Sequence, residues 1–361
     1  MRYFPFGFFA LFFLSCLSTP EEQKPTDYYR ITGTTMGTSY HITYRDSLGR
    51  NLKPQVDSLL DEVNLGLSTY LDSSLISRFN SSEEGLDFAA EAPALRRHFL
   101  ANYRVAYEIY QLSDGYFDPT VMPLVNYWGF GYTPKGKSER VDSALVDSLR
   151  HLVGMDKLKW EGSFLRKSLP GMQLDFSAIA KGYGVDVVGD LLTSLGSCDW
   201  LVEIGGELAV SGERPDGGAW QIGINTPEEG ADPSAFALTL PMSSSCGLLW
   251  EAGEEVTQSD LRGLASSGNY RNFYEEGGEK FVHTINPHTG YTKRSKLLSA
   301  SIRAVNCTRA DALATACMAM GKEKAIRMLD SLENVEAWLI FVATSGEQKL
   351  WKKLEQQQTL E

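Results

Sequence analysis

The feature that most constrains the fold is a hydrophobic period that switches repeatedly between two and about 3.6 residues, without strict strand–helix alternation. Tyr29 and Ile31 lead into Gly33-Thr34-Thr35-Met36-Gly37, after which Tyr40, Ile42 and Tyr44 alternate with polar residues, a hairpin pattern. Pro54 to Tyr70 carries Val56, Leu59, Leu60, Val63 and Leu67 on one helical face. Pro93 opens a second helix with Leu95, Phe99, Tyr103 and Tyr107, and Val141 to Leu152 repeats the pattern. A long helix is predicted over Asp175 to Leu195, ending at Gly196, followed by two short strands in Leu201 to Val210 broken at Gly205-Gly206. Trp220, Ile222 and Ile224 alternate as a strand. Further strands are expected at Phe281 to Ile285, Leu297 to Val305 and Val335 to Ala343, with helices over Arg309 to Met320 and after Gly321. Interleaving of this kind favours an α+β fold with a mixed sheet over a doubly wound one. No short repeat and no linker interrupts residues 29 to 353, so a single compact unit is expected.

The N-terminus departs from this pattern. Met1-Arg2 precedes an apolar run from Phe4 to Leu14, too short to span a bilayer comfortably and of the length of a signal-peptide core. It meets Leu14-Ser15-Cys16, which resembles a bacterial lipobox with Phe13 where Leu is usual. Leu17 to Asp27, rich in Ser, Thr, Pro, Glu and Gln, reads as a flexible tether. The expected organisation is therefore a signal peptide (1–15), a lipidated Cys and tether (16–28), the folded unit (29–353) and a polar tail (354–361). The expected location is the bacterial cell envelope, lipid-anchored and facing the periplasm. An ordinary secretory signal with a coincidental Cys is the alternative.

Composition excludes one large class of partner. The 361 residues hold 34 Lys plus Arg against 46 Asp plus Glu, a formal charge of −12, which opposes a broad nucleic-acid footprint. A small anion would need local groups: a helix N-terminus, a metal ion or a few cations. Besides Cys16, the cysteines are Cys198, Cys246, Cys307 and Cys317, with no CxxC pair and no zinc signature. Cys307 and Cys317 are read as small buried hydrophobes. A disulfide is possible in an oxidising compartment, but no pairing is specified.

Several runs carry chemistry-bearing residues. Leu174-Asp175-Phe176-Ser177-Ala178-Ile179-Ala180-Lys181-Gly182 sets a carboxylate and a hydroxyl at an expected helix start with a Lys one turn inside, suited to a phosphate and equally to a simple cap. In Thr308-Arg309-Ala310-Asp311-Ala312-Leu313-Ala314-Thr315, Asp311 and Thr315 share a helical face and can offer oxygens to a hard cation, although an Asp in a first turn also complements the helix dipole with no metal. His283 precedes an Asn286-Pro287 turn, where its pKa range suits proton transfer or phosphate contact. The segment Gly115-Tyr116-Phe117-Asp118-Pro119-Thr120, continuing to Tyr127-Trp128-Gly129-Phe130-Gly131, can stack a flat heterocycle or form core.

The joint order of these runs is more specific than any one of them. Gly33 to Thr38, Ser77-Arg78-Phe79-Asn80, Phe117 to Asn126, Asp175 to Asp186, Glu203-Ile204-Gly205-Gly206-Glu207, Ser266 to Arg271, His283 to Gly290 and Asp311 to Thr315 together resemble the ApbE family of FAD:protein FMN transferases, over about residues 30 to 343. The resemblance implies a mixed-sheet α+β (T-fold-like) catalytic unit that binds FAD as substrate in a cleft with Mg²⁺. On matching positions it implies FAD contacts at Met36, Tyr70, Tyr116, Phe117, Asp118, Asp175, Lys181 and Ile285. Metal contacts are implied at Ala178 (through its carbonyl), Asp311, Ala314 and Thr315. His283 and Asp175 are the implied catalytic residues.

The implied reaction transfers FMN from FAD to a Ser or Thr hydroxyl of a target flavoprotein, releasing AMP. Two departures from the family pattern stand out besides Phe13. Extra residues lie between Leu240 and Ser266, including Trp250, Glu251, Glu254 and Glu255, and Asn286 stands where Asp is common. Two rival readings remain: an FAD pyrophosphatase giving FMN and AMP, and a flavin-binding lipoprotein without turnover.

Overall fold

The computed structural model describes residues 27–132, 141–227, 232, 235–251, 254–255, 260–268, 273–276, 279–282, 284–292 and 295–354. The leader, Cys16, nearly all of the tether, His283, Asn269 to Arg271 and the tail beyond 354 lie outside the described residues.

The first strands, β1 (Tyr28–Thr35) and β2 (Thr38–Arg45), form the expected hairpin, with Met36 at a positive φ of 49° in its two-residue turn. Helix α1 (Lys53–Leu67) follows with Pro54 in its first turn, then α2 (Leu75–Ser81), α3 (Pro93–Leu112), α4 (Met122–Tyr127), α5 (Ser143–Arg150) and α6 (Ala180–Ser194). Strands β3 (Trp200–Ile204), β4 (Glu207–Ser211), β5 (Gly263–Gly268) and β6 (Leu297–Ala304) continue the chain. Helices α7 (Cys307–Met320) and α8 (Lys322–Asp330), then β7 (Val335–Val342) and β8 (Gln348–Lys353), complete it.

These eight strands form one sheet in chain order, β1 to β8. The class is α+β as expected. Where a mixed sheet was anticipated, every ladder of this sheet is antiparallel, because each connection returns the chain beside the strand it left. A parallel contact survives as an isolated bridge between Val121 and Gln173. Helices α6 and α7 lie against the sheet and one another, and α1 and α3 pack over them. The opposite face is covered by a hairpin of 220–225 and 236–242, where Leu208, Val210 and Leu264 meet Trp220, Ile222, Ile224 and Met242. Period two along β4 therefore sends Leu208 and Val210 to that hairpin, and Glu207 and Ala209 to the helices.

Several boundaries move for local reasons. The helix expected from Asp175 begins at Ala180, because Asp175 Oδ1 accepts from the backbone N–H (2.8 Å) and hydroxyl (2.5 Å) of Ser177, closing a turn instead. Helix α1 stops at Leu67, where Ser68 turns extended and its carbonyl accepts from Ser74 Oγ at 2.6 Å. Helix α5 is shortened to 143–150, with Asp142 capping Leu145 N. The strand expected over Phe281 to Ile285 ends at Val282 in a separate hairpin with 273–276, and Ile285 only bridges Thr292. Strand β8 and the small sheet of 85–87, 158–161 and 164–167 had no clear periodic signature.

Cys307 and Cys317 are buried free thiols, as expected. Cys198 and Cys246 are joined in a disulfide.

Candidate active site

The site grows from the approach of α7 to α6. A side chain on Gly182 would place its Cβ 2.4 Å from the Cys307 carbonyl oxygen, and one on Gly263 would lie 2.2 Å from Cys307 N, so both glycines are required for α7 to start where it does. The start is also capped twice. Asn306 accepts from Arg309 N at 2.8 Å, and buried Asp186 of α6 accepts from Cys307 N at 2.9 Å, Thr308 N at 2.8 Å and the Thr308 hydroxyl. Burial pushes the Asp186 carboxyl up to about 7, against the pull of these donors.

One turn further along α7, Asp311 is 2% exposed and accepts from Gly182 N at 3.1 Å. It is neither solvated nor in the first turn expected from sequence, because α7 begins at Cys307 and places Asp311 one turn inside. Beside it Lys181 Nζ lies 2.6 Å from Glu207 Oε2. Burial works against the charge on Lys181, but Asp311 and Glu207 outweigh it and hold its pKa above the usual lysine value. Burial raises the carboxyl pKa of both Glu207 and Asp311, with Lys181 opposing the rise. Thr315, one turn beyond Asp311, shares a hydrogen bond of 3.2 Å with Ser267 of β5. Two strands and two helices thus bring a cation, two carboxylates and two hydroxyls to one place.

A second group of residues adjoins this cluster through backbone contacts. Asp175 N donates to Pro119 O at 2.7 Å, which seats the Tyr116 to Thr120 loop beside the Asp175 turn. Asn80 clamps the same turn from below: its amide donates to Leu174 O (2.8 Å) and its carbonyl accepts from Leu174 N (2.7 Å). Burial raises the Asp175 carboxyl. Tyr70 is largely exposed, and partial burial of its phenol together with the Asp175 charge raises its pKa. Asp118 is buried, accepts from Thr120 N (2.8 Å) and Oγ1 (2.5 Å), and is pushed by burial up to about 7. The Tyr116 ring lies 4.4 Å from that of His288 and carries Lys324 of α8 at 4.4 Å from its centre, with Lys324 also donating to its hydroxyl. Met36 reaches across to α6, where a Cβ on Gly184 would sit 3.1 Å from Met36 Cε.

Not every expected residue presents its side chain here. Phe117 and Ala314 are buried in the main core, leaving only backbone atoms to offer. Ile285 is buried in a separate apolar cluster with Leu124, Trp128 and Val146. Ala178 is partly buried in the turn before α6. His283 lies outside the described residues. Glu207, Asn80 and Lys324 were given no role from sequence. Glu207 and Asn80 stood inside the ordered motifs, but Lys324 carries no local signal.

These findings converge with comparisons to known proteins. The ApbE family profile matches residues 36–339. The chain belongs to the ApbE family. It is 34% identical over 313 residues to an FAD:protein FMN transferase of Vibrio cholerae, covering 86% of each chain, and 32% identical over 339 residues to one of Haemophilus influenzae, covering 91% of each. The solved flavin transferase ApbE from Vibrio cholerae superposes with a TM-score of 0.75 at 32% identity, covering 91% of this chain and 98% of that one. The apo flavinyl transferase ApbE of Pseudomonas stutzeri gives 0.71 at 31%, covering 90% and 94%.

The oxygen donors gathered along α7 raise the question of a bound cation. Among the described residues no group of three His, Cys, Asp or Glu side chains is placed to hold one. The donors at Asp311 and Thr315 are all hard oxygens, which fits Mg²⁺, an ion commonly held by one or two carboxylates together with substrate phosphates and water. Asp311, Thr315 and the Ala178 carbonyl would hold it.

Proposed function

We propose that this protein transfers FMN from FAD to a Ser or Thr hydroxyl of a target flavoprotein and releases AMP, with Mg²⁺ required. The observation that carries this reading is the buried meeting of Lys181, Glu207 and Asp311 at the junction of α6 and α7, inside a chain of the ApbE family. In the reaction the acceptor oxygen forms a bond to the FMN-side phosphorus, the anhydride bond to AMP breaks, and the hydroxyl proton passes to a base. Mg²⁺ supplies neutralisation of charge on the pyrophosphate oxygens. Lys181 binds pyrophosphate, the Tyr116 to Asp118 loop and Tyr70 position the dinucleotide, and Asp175 orients it. His283 is the proposed proton acceptor. The test is co-incubation with FAD, Mg²⁺ and an envelope flavoprotein, read by in-gel flavin fluorescence and AMP release. Covalent flavin supports transfer. AMP without labelling makes the protein a pyrophosphatase, and neither product makes it a flavin-binding protein.

A form lacking residues 1–20 is expected to bind FAD more tightly than FMN or riboflavin, because loss of the adenylate half removes part of the grip at Tyr116 to Asp118 and at Lys181. Fluorescence titration checks this, and equal affinities for FAD and FMN would count against the site.

The protein is also proposed to be a lipoprotein anchored through Cys16 in the envelope. The apolar run ending at Leu14-Ser15-Cys16 and the polar tether after it support this. Cys16→Ala should leave the precursor unprocessed by the lipoprotein route. A Cys16→Ala protein still processed and membrane-bound would refute lipid anchoring.

A further inference from the structure

We propose that Lys181 is a built-in counter-ion to Glu207 and Asp311 that opposes entry of the divalent cation at Asp311, and that handing its ammonium to the pyrophosphate of FAD opens the cation site. The inference rests on the proposed FAD and metal site and adds an order to its filling. Three charged groups stand together here: the partly buried Lys181, its ammonium 2.6 Å from Glu207 Oε2, buried Glu207 on the helix-facing side of β4, and buried Asp311, held by Gly182 N at 3.1 Å.

Two carboxylates so placed repel each other when water is excluded, and a cation beside them offsets that repulsion. Lys181 supplies it from within the chain. An ammonium whose charge is felt by Asp311 repels a divalent ion that takes Asp311 as ligand, so full binding of one weakens the other. A pyrophosphate offers the ammonium an alternative partner. FAD and the divalent ion would then bind with positive coupling beyond their direct contact, since each relieves the constraint that Lys181 places on the other. Lys181 is in this respect a positioning residue for the cation as well as a ligand contact.

The experiment measures Mn²⁺ binding without FAD, by electron paramagnetic resonance and calorimetry, in the parent protein and in Lys181→Met, Lys181→Arg and Asp311→Ala. Lys181→Met should bind Mn²⁺ at least about tenfold more tightly than the parent, and its melting temperature should be low without Mn²⁺ and rise steeply with it. Lys181→Arg, which keeps the charge, should stay near the parent. FAD should tighten Mn²⁺ binding less in Lys181→Met than in the parent. Lys181→Gln, which removes the charge but keeps a polar amide, stands in if the Met variant does not fold, and failure of both to recover with Mn²⁺ overturns the proposal. Mn²⁺ binding that depends on Asp311 but does not tighten in the Met or Gln variant overturns the counter-ion role alone. No Asp311-dependent binding in any form, with or without FAD, overturns the metal reading beneath it as well.

Discussion

Asp311→Ala is expected to lower FMN transfer by at least about a hundredfold, a barrier increase of about 2.7 kcal/mol. Asp330→Ala, on the exposed end of α8, should leave transfer at the parent rate. The contrast follows from placement. Asp330 is solvated, whereas Asp311 is buried against the start of α6 with Lys181 and Glu207 for neighbours. Loss of the Asp311 carboxylate removes the principal charged oxygen donor for a cation. It need not unfold the protein, because Lys181 keeps Glu207 as its partner at 2.6 Å and the cluster becomes neutral. Turnover and thermal melting of both variants decide the matter. A folded Asp311→Ala protein that transfers FMN near the parent rate would make this carboxylate structural and move the metal elsewhere.

Replacing Cys198 and Cys246 by Ser is the second large effect, a loss of about 4 kcal/mol of stability on the chain-entropy account for a loop of this length. The native structure should survive the loss, because the segment around Cys246 has independent ties. Asp190 accepts from Leu249 N (2.7 Å) and Trp250 N (2.8 Å), and Arg262 donates to the carbonyls of Gly247 (2.8 Å) and Ser245 (3.0 Å). These ties hold Trp250 edge-on against Tyr183, with ring centres 5.4 Å apart. The expected result is therefore a lower guanidinium midpoint with unchanged tryptophan emission in buffer. An unchanged midpoint would mean that the bond does not constrain the unfolded chain, and altered emission would mean that it shapes the native segment. Such a bond also suits an oxidising compartment, in keeping with the envelope location proposed from the leader.

The extra segment before β5 becomes intelligible in the same terms. From sequence it was an insertion carrying Trp250 and three acidic residues with no partner. In the fold its first part is a strap across α6, tied by Asp190, Arg262 and a disulfide, and Trp250 belongs to the main core. None of those partners could be inferred from spacing, because Asp190 and Arg262 meet the segment only in the folded chain.

What the sequence determined by itself was everything written in short-range periodicity and in ordered motifs: the β1–β2 hairpin, the helical faces of α1, α3 and α7, the α+β class and the family. Local rules suffice there, since a strand or helix face must alternate at its own period whatever it packs against. The residues of the site were legible as types, with Asp311 and Thr315 on one face and Lys181 one turn inside a helix expected from Asp175. Their states were not. Whether Asp311 is a solvated cap or a buried carboxylate depends on Gly182 and Gly263 admitting α7 so closely, and Glu207 reaches Lys181 only because the β3–β4 turn sets which face of β4 meets the helices. Charge, burial and pairing belong to groups distant in the chain, so only the tertiary structure could decide that three separate motifs form one electrostatic cluster.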